Sequence, residues 1–105
     1  MIGEKFLPSD KYFPGNGVIS DGGDNENMFC GYDNDVGRAT FRMPLRDHPN
    51  ASAADWTFRF GSMHPSGFNM MMCDGSVHII SYSINADVFR QGGNRTSSAV
   101  GPFFN

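Results

Sequence analysis

No apolar run in these 105 residues approaches the ~20 that a helix needs to cross a bilayer, so no stretch reads as a membrane span. Basic residues are scarce as well. Eight Lys and Arg stand against eleven Asp and Glu, for a formal charge of −3, and the basic ones are scattered. A nucleic-acid surface needs them clustered, to displace counterions from phosphates, which argues against that class of partner. Cysteine is limited to Cys30 and Cys73, too few for a disulfide framework and at a spacing that fits neither a CxxC redox pair nor a zinc site. Two buried free thiols acting as small hydrophobes is the plain reading. No Ser, Cys or Lys sits in a nucleophile elbow or a phosphate-binding Gly loop.

Turn formers are plentiful. Thirteen Gly and six Pro, with many Asn, Asp and Ser, exceed what a helical bundle uses and favour short strands joined by long loops. At this length a single domain with one modest core is expected over residues 1–105. Strands are predicted at residues 28–32, 56–61, 68–73 and 76–82, and a helix at 86–91. The expected fold class is α+β, mostly β, with a small antiparallel sheet, long loops and one short C-terminal helix. Trp56, Phe58 and Phe60 alternate with Thr57 and Arg59, the period of a half-buried strand. Asn85 supplies an N-cap, Asp87 an acid in the first turn, and Gly92-Gly93 a stop. Residues 33–55 show neither period and read as a long surface excursion.

The most informative stretch is 60–84, where Asp74-Gly75 separates two apolar runs. This is a hairpin signal, read as a two-residue type I′ loop whose central residues both take positive φ. That register sets Met72 against Val77, Met70 against Ile79 and Phe68 against Ser81 on the expected core face. Met71 then faces His78 and Asn69 faces Ile80 on the other. Both faces carry apolar residues, which calls for cover on both sides of the sheet.

His64, nine intervening residues and Asp74-Gly75 make a recognisable segment. With Gly3-Glu4-Lys5-Phe6-Leu7, Asp21-Gly22-Gly23-Asp24-Asn25 and Gly31-Tyr32-Asp33-Asn34-Asp35 in that order, it resembles a large bacterial family of pilin-like (pseudopilin-like) envelope proteins with a C-terminal His-X9-Asp-Gly segment. The resemblance covers nearly the whole chain, although Arg95-Thr96-Ser97-Ser98 departs from the family's Arg-x-Asp-Gly. Relatives begin with a prepilin leader and a long apolar helix. The resemblance therefore implies the C-terminal globular domain of a longer protein, in the cell envelope or outside the cell, that meets the membrane only through a preceding helix. It implies a structural subunit of a pilin-like or type II secretion-associated assembly. Its partners would be protein, either itself or other pilin-like subunits, with no nucleic acid and no reaction performed. Export would also make a Cys30–Cys73 bridge chemically permitted.

His64 and Asp74 invite an acid–base pair, but nine residues of extended chain at ~3.3 Å each put them at opposite ends of one strand. Each is therefore assigned to a turn. His64 with Gly67 shapes the connection into the strand, and Asp74 with Gly75 the connection out. Asp21, Asp24, Asn25, Asp33 and Asp35 place many oxygens in two Gly-punctuated loops, as Ca²⁺ requires, without the spacing of an EF-hand. Two readings stay open there. These side chains bond their own backbone in Asx turns, or they belong to an extracellular binding module for calcium, a glycan or another surface ligand. The resemblance adds that some secretion-system pseudopilins hold calcium in a loop of this region.

Overall fold

Two small sheets are joined by the first residues of the chain. The computed structural model describes residues 1–13, 23–27 and 29–96. The elements run β1 (Ile2–Gly3), a 3-10 turn (Ser9–Lys11), β2 (Leu45–Arg46), α1 (Ala53–Phe58), β3 (Gly61–Ser62), β4 (Gly67–Met71), β5 (Val77–Ser81) and α2 (Ala86–Gly92). Strands β1, β4 and β5 form an antiparallel sheet in that order, and β2 and β3 a parallel pair. The fold is α+β and mostly β.

The hairpin is at Asp74-Gly75 but its loop is of another kind. Gly75 has φ 85°, while Asp74 is not among the positive-φ residues, so a type I′ turn is ruled out. The Gly75 amide donates to the Met72 carbonyl at 3.0 Å and the Met72 amide to the Ser76 carbonyl at 2.8 Å. This is a three-residue loop, Cys73-Asp74-Gly75, closed by a glycine bulge. The extra residue moves the register by one place. Phe68 now faces Ile80, Met70 faces His78, and Met71 faces Val77. A one-residue slip turns a strand over, so Ile80 enters the core and Val77 and Ile79 leave it. The core cluster is Phe60, Phe68, Met70, Ile80 and Phe89. Phe89 stands nearly perpendicular to the Phe60 and Phe68 rings, at interplanar angles of 83° and 87°.

The predicted helix is present with one further residue. Asn85 Oδ1 accepts from the Asp87 and Val88 amides at 2.9 and 3.2 Å, which fixes its start. Two predicted strands are corrected. Of the strand predicted at 56–61, residues 56–58 form the end of α1, because Asp55 Oδ2 accepts from the Ser52 hydroxyl at 2.7 Å and its amide at 3.3 Å, and so clamps the first helical turn. Trp56 and Phe58 are too short a sample to separate a period of two from 3.6. Extended pairing resumes only at Phe60, which bridges Lys5. The strand predicted at 28–32 is absent over Phe29–Tyr32, Met28 lying outside the described residues. There Asn27 Oδ1 accepts from the Phe29 amide at 2.9 Å and Gly31 takes φ 92°, which turns the chain. Cys30 and Cys73 are free and exposed, not the buried hydrophobes expected.

The excursion at 33–55 is ordered by β3. The Leu45 amide donates to the Phe60 carbonyl at 3.1 Å and the Asp47 amide to that of Ser62 at 2.9 Å. The contact is close enough that a β-carbon on Gly61 would lie 2.1 Å from the Leu45 carbonyl oxygen. Gly61→Ala is therefore expected to cost about 2–3 kcal/mol by overpacking. Gly75→Ala, whose site is open and whose cost is its left-handed φ, should cost about 1 kcal/mol. Urea unfolding of the two variants should show that order.

Candidate functional site

Each residue of Gly3-Glu4-Lys5-Phe6-Leu7 has a separate structural task. A β-carbon on Gly3 would stand 3.0 Å from the Phe60 ring, so the strand approaches that ring closely because the side chain is missing. Glu4 donates its amide to the Asn69 carbonyl at 3.1 Å, while its own carbonyl accepts from Gly61 at 3.0 Å. Its carboxylate fills the ladder position that the carbonyl has left, since Oε2 accepts from the Asn69 amide at 2.7 Å and from Asn69 Nδ2 at 3.2 Å. Phe6 is fully buried. The Leu7 amide donates to Asp47 Oδ1 at 3.0 Å, and the Tyr12 hydroxyl donates to Asp47 Oδ2.

Lys5 reaches into the acidic loops. Its ammonium donates to the Gly23 carbonyl at 2.9 Å and the Asp35 carbonyl at 3.3 Å, and it forms an ion pair with Asp24. Arg38 lies beside it, donating to the carbonyls of Gly23 at 3.2 Å, Gly37 at 2.9 Å and Thr57 at 3.3 Å, and to that of Asn34. Backbone carbonyls of these loops, and the Asp24 carboxylate, are thus held by two of the protein's own cations. Of the predicted ligands, Asp24 meets Lys5 through its carboxylate and Asp35 through its backbone carbonyl only, whereas Asn25 and Asp33 are exposed. Asp33 turns back on its own loop, its carbonyl accepting from the Val36 and Gly37 amides at 3.1 and 2.8 Å. Asp21 lies outside the described residues. Among the described residues no group of three or more His, Cys, Asp or Glu could hold a metal ion. One oxygen pair departs from this satisfied pattern. Asp35 is only 5% exposed, and both its carboxylate oxygens are buried without a hydrogen-bond partner. It borders a cleft of about 300 Å³ shared with Gly3, Lys5, Arg38 and Phe60.

His64 and Asp74 lie beyond opposite ends of β4, each within its own turn. The His64 amide donates to Ser62 Oγ at 3.1 Å, and that hydroxyl donates to the Gly67 carbonyl at 3.1 Å. Tyr82 Oη completes the knot, 3.0 Å from Ser62 Oγ and donating to the Ser62 carbonyl at 3.0 Å. Gly67 is required there, because a β-carbon would meet the Ile80 carbonyl oxygen at 2.3 Å. The His64 ring does meet a carboxylate, Glu4 Oε1, 3.5 Å from Nε2, on an open surface rather than in a cleft. Asp74 Oδ1 accepts from the Ser76 hydroxyl at 2.6 Å and the Ser76 amide at 2.9 Å, which holds its carboxyl below the usual range. His78 Nε2 lies 2.8 Å from the same hydroxyl. The sequence reading passed over Glu4, Lys5, Ser62 and Tyr82 as site residues. A charged pair immediately before buried Phe6 was the available signal for the first two.

These features define a small α+β domain of two sheets, sewn together by its first residues, with polar loops organised around Lys5 and Arg38. The chain belongs to the family described as protein of unknown function (DUF1559), whose model matches residues 10–87. No curated protein and no solved structure matches it.

Lys5→Met keeps the stem and removes the donors, so it should lower stability by about 2 kcal/mol in urea unfolding, the worth of hydrogen bonds from a charged group. Tyr12 gives a pH test. Burial, then the hydrogen bond to Asp47, pushes its phenol up from 10.0 to about 12. A raised folded-state value means that the contribution is complete below pH 10 and is lost as pH rises through about 12. The melting temperature should fall over that window, and Tyr12→Phe should remove this part of the fall.

Proposed function

We propose that this domain is a structural subunit of a pilin-like, secretion-associated envelope assembly, acting through protein contacts and performing no reaction. The motif order described above supports the pilin-like part of this reading. The observation that carries it is the outer face of the three-stranded sheet. Ile2, Met71 and Val77 are register partners and form one row across all three strands, with Ile79 beside them. They are 68%, 37%, 65% and 69% exposed respectively. Contiguous apolar surface of this kind marks a contact site, since each such side chain gains about 1.5–3 kcal/mol on full burial. Neighbouring subunits, identical or related, are the partners this face suits. In cells that make the protein, it should be recovered from the envelope in an assembly, and Met71→Glu should reduce that recovery at least about tenfold without lowering the melting temperature. Wild-type protein found only as a small free species would overturn the reading.

Asp35 favours a second reading, an extracellular binding module in which the loops at 23–27 and 33–35 accept calcium. A buried carboxylate without a donor is costly, and a bound cation would remove that cost. Millimolar CaCl₂ should then raise the melting temperature, EDTA should reverse it and Asp35→Asn should abolish it, because ligand at about 100-fold its Kd stabilises by roughly 2.7 kcal/mol. No shift with CaCl₂ would remove calcium from this account.

A further inference from the structure

The three-stranded sheet has two unlike edges. On the β1 side only Ile2 and Gly3 belong to the strand, and the chain leaves at once through Glu4 and Lys5 to pair with residues 59–61. The other edge is β5, five residues long, with no further strand paired to it among the described residues. Hydrogen bonding fixes which of its groups point outward. Met72–Ser76 and Ser66–Tyr82 are bonded across the hairpin. By the alternation of an antiparallel ladder, positions 78 and 80 bond to β4 and positions 77, 79 and 81 face away. Natural edges are guarded by Lys, Pro, bulges or inward charges. No Asp, Glu, Lys, Arg or Pro occurs between Asp74 and Asp87, and the glycine bulge at Gly75 lies in the hairpin loop before β5.

We infer that β5 pairs antiparallel with β5 of a second copy of this chain, about a twofold axis at Ile79. The inference rests on the reading above in taking protein as the ligand, and deepens it by naming the edge and the partner. The strand is its own complement in this register. The outward amide and carbonyl of Ile79 meet those of Ile79 in the second copy, and those of Val77 meet those of Ser81. The Ser81 carbonyl already accepts from the Ile84 amide at 3.2 Å, and a carbonyl has a second lone pair to offer. Charge also favours a copy as the partner, because an uncharged strand brings no like charges together. On the exposed face Ile79 packs against Ile79, an apolar contact at the centre of the join, and the two exposed faces become one face of six strands. Three outward-facing residues from each copy, in three rows, are a small interface, which places the dimer in the weak class of less than about 1,200 Å² buried.

Sedimentation velocity of the wild-type chain from about 10 µM to 1 mM, a range suited to weak association, should show monomer giving way to twice the mass. Ile79→Lys and Ile79→Glu should each remain monomeric. Mixed in equal amounts they should form a heterodimer, because the twofold axis sets residue 79 against itself. In the wild type, amide exchange at Val77 and Ile79 should slow with protein concentration, while exchange at His78 and Ile80 stays constant. Ile2→Lys, on the same face at the far edge, should leave the dimer intact. Wild type that is monomeric throughout, or a mixture that fails to restore association, overturns the inference. Loss of the dimer in Ile2→Lys also overturns it, in favour of face-to-face stacking, while leaving the apolar face as the contact surface of the broader reading.

Discussion

Glu4 holds the two sheets together. A strand residue has one amide and one carbonyl, and the backbone of Glu4 serves two sheets, its amide bonding to Asn69 in β4 and its carbonyl to Gly61 in β3. That division would leave the Asn69 amide unpaired beside the core. The carboxylate supplies the missing acceptor, at 2.7 Å. A buried amide left unmade costs about 1–3 kcal/mol, so an acidic side chain of this reach makes the crossing between sheets sustainable where an apolar one would not. The residues around it extend the same seam. Gly3 lets the strand approach Phe60, Phe6 fills the space beyond, and Leu7 is tied to Asp47 on the long excursion.

Lys5 applies the same logic to the loops. Loops whose carbonyls have no ladder partner, and which carry acceptor-only carboxylates besides, need donors from elsewhere in the chain. A cation at their centre is the general remedy, whether a metal ion or an ammonium on a tether. Lys5 and Arg38 supply two, each spreading several donors over carbonyls from different segments. A tethered cation has an entropic advantage over a free ion, because it is delivered by the strand that must be in place anyway. The Asp35 carboxylate is the part of the cage to which neither cation donates, and it stays buried without a partner.

Much of this was legible in the residues, and what was not has identifiable causes. The C-terminal helix was readable because an Asn cap, an early acid and a Gly pair act locally. The hairpin was readable for the same reason, but its register was not. Asp-Gly satisfies both a two-residue loop and the end of a three-residue loop with a bulge, and only the bonding of Met72 to Ser76 decides between them. Helix α1 was hidden because three alternating aromatics outweighed the Ser52–Asp55 clamp. The acidic loops were recognisable as oxygen-rich, yet Lys5 lies 18 and 30 residues from the carbonyls it binds there, a separation that local pattern does not bridge. Ser62 and Tyr82, 20 residues apart, escaped in the same way.

The register decides more than the identity of the core. With a two-residue loop, Val77 and Ile79 would lie under Phe68 and Met70, and the exposed row of β5 would be His78 and Ile80, one polar and one apolar. The single residue inserted at Gly75 reverses this. It sends Ile80 inward, where the Phe68–Phe89 cluster receives it, and leaves two β-branched apolar residues on the surface of an edge strand that carries no charge. Burying Val77 and Ile79 would be the simpler arrangement for an isolated domain, since their exposure forfeits transfer free energy of about 1.5–3 kcal/mol for each. A glycine in the left-handed region therefore does two things at once. It closes the hairpin, and it fixes which side of β5 faces outward, so that the apolar edge and the apolar face of the sheet are both consequences of one turn.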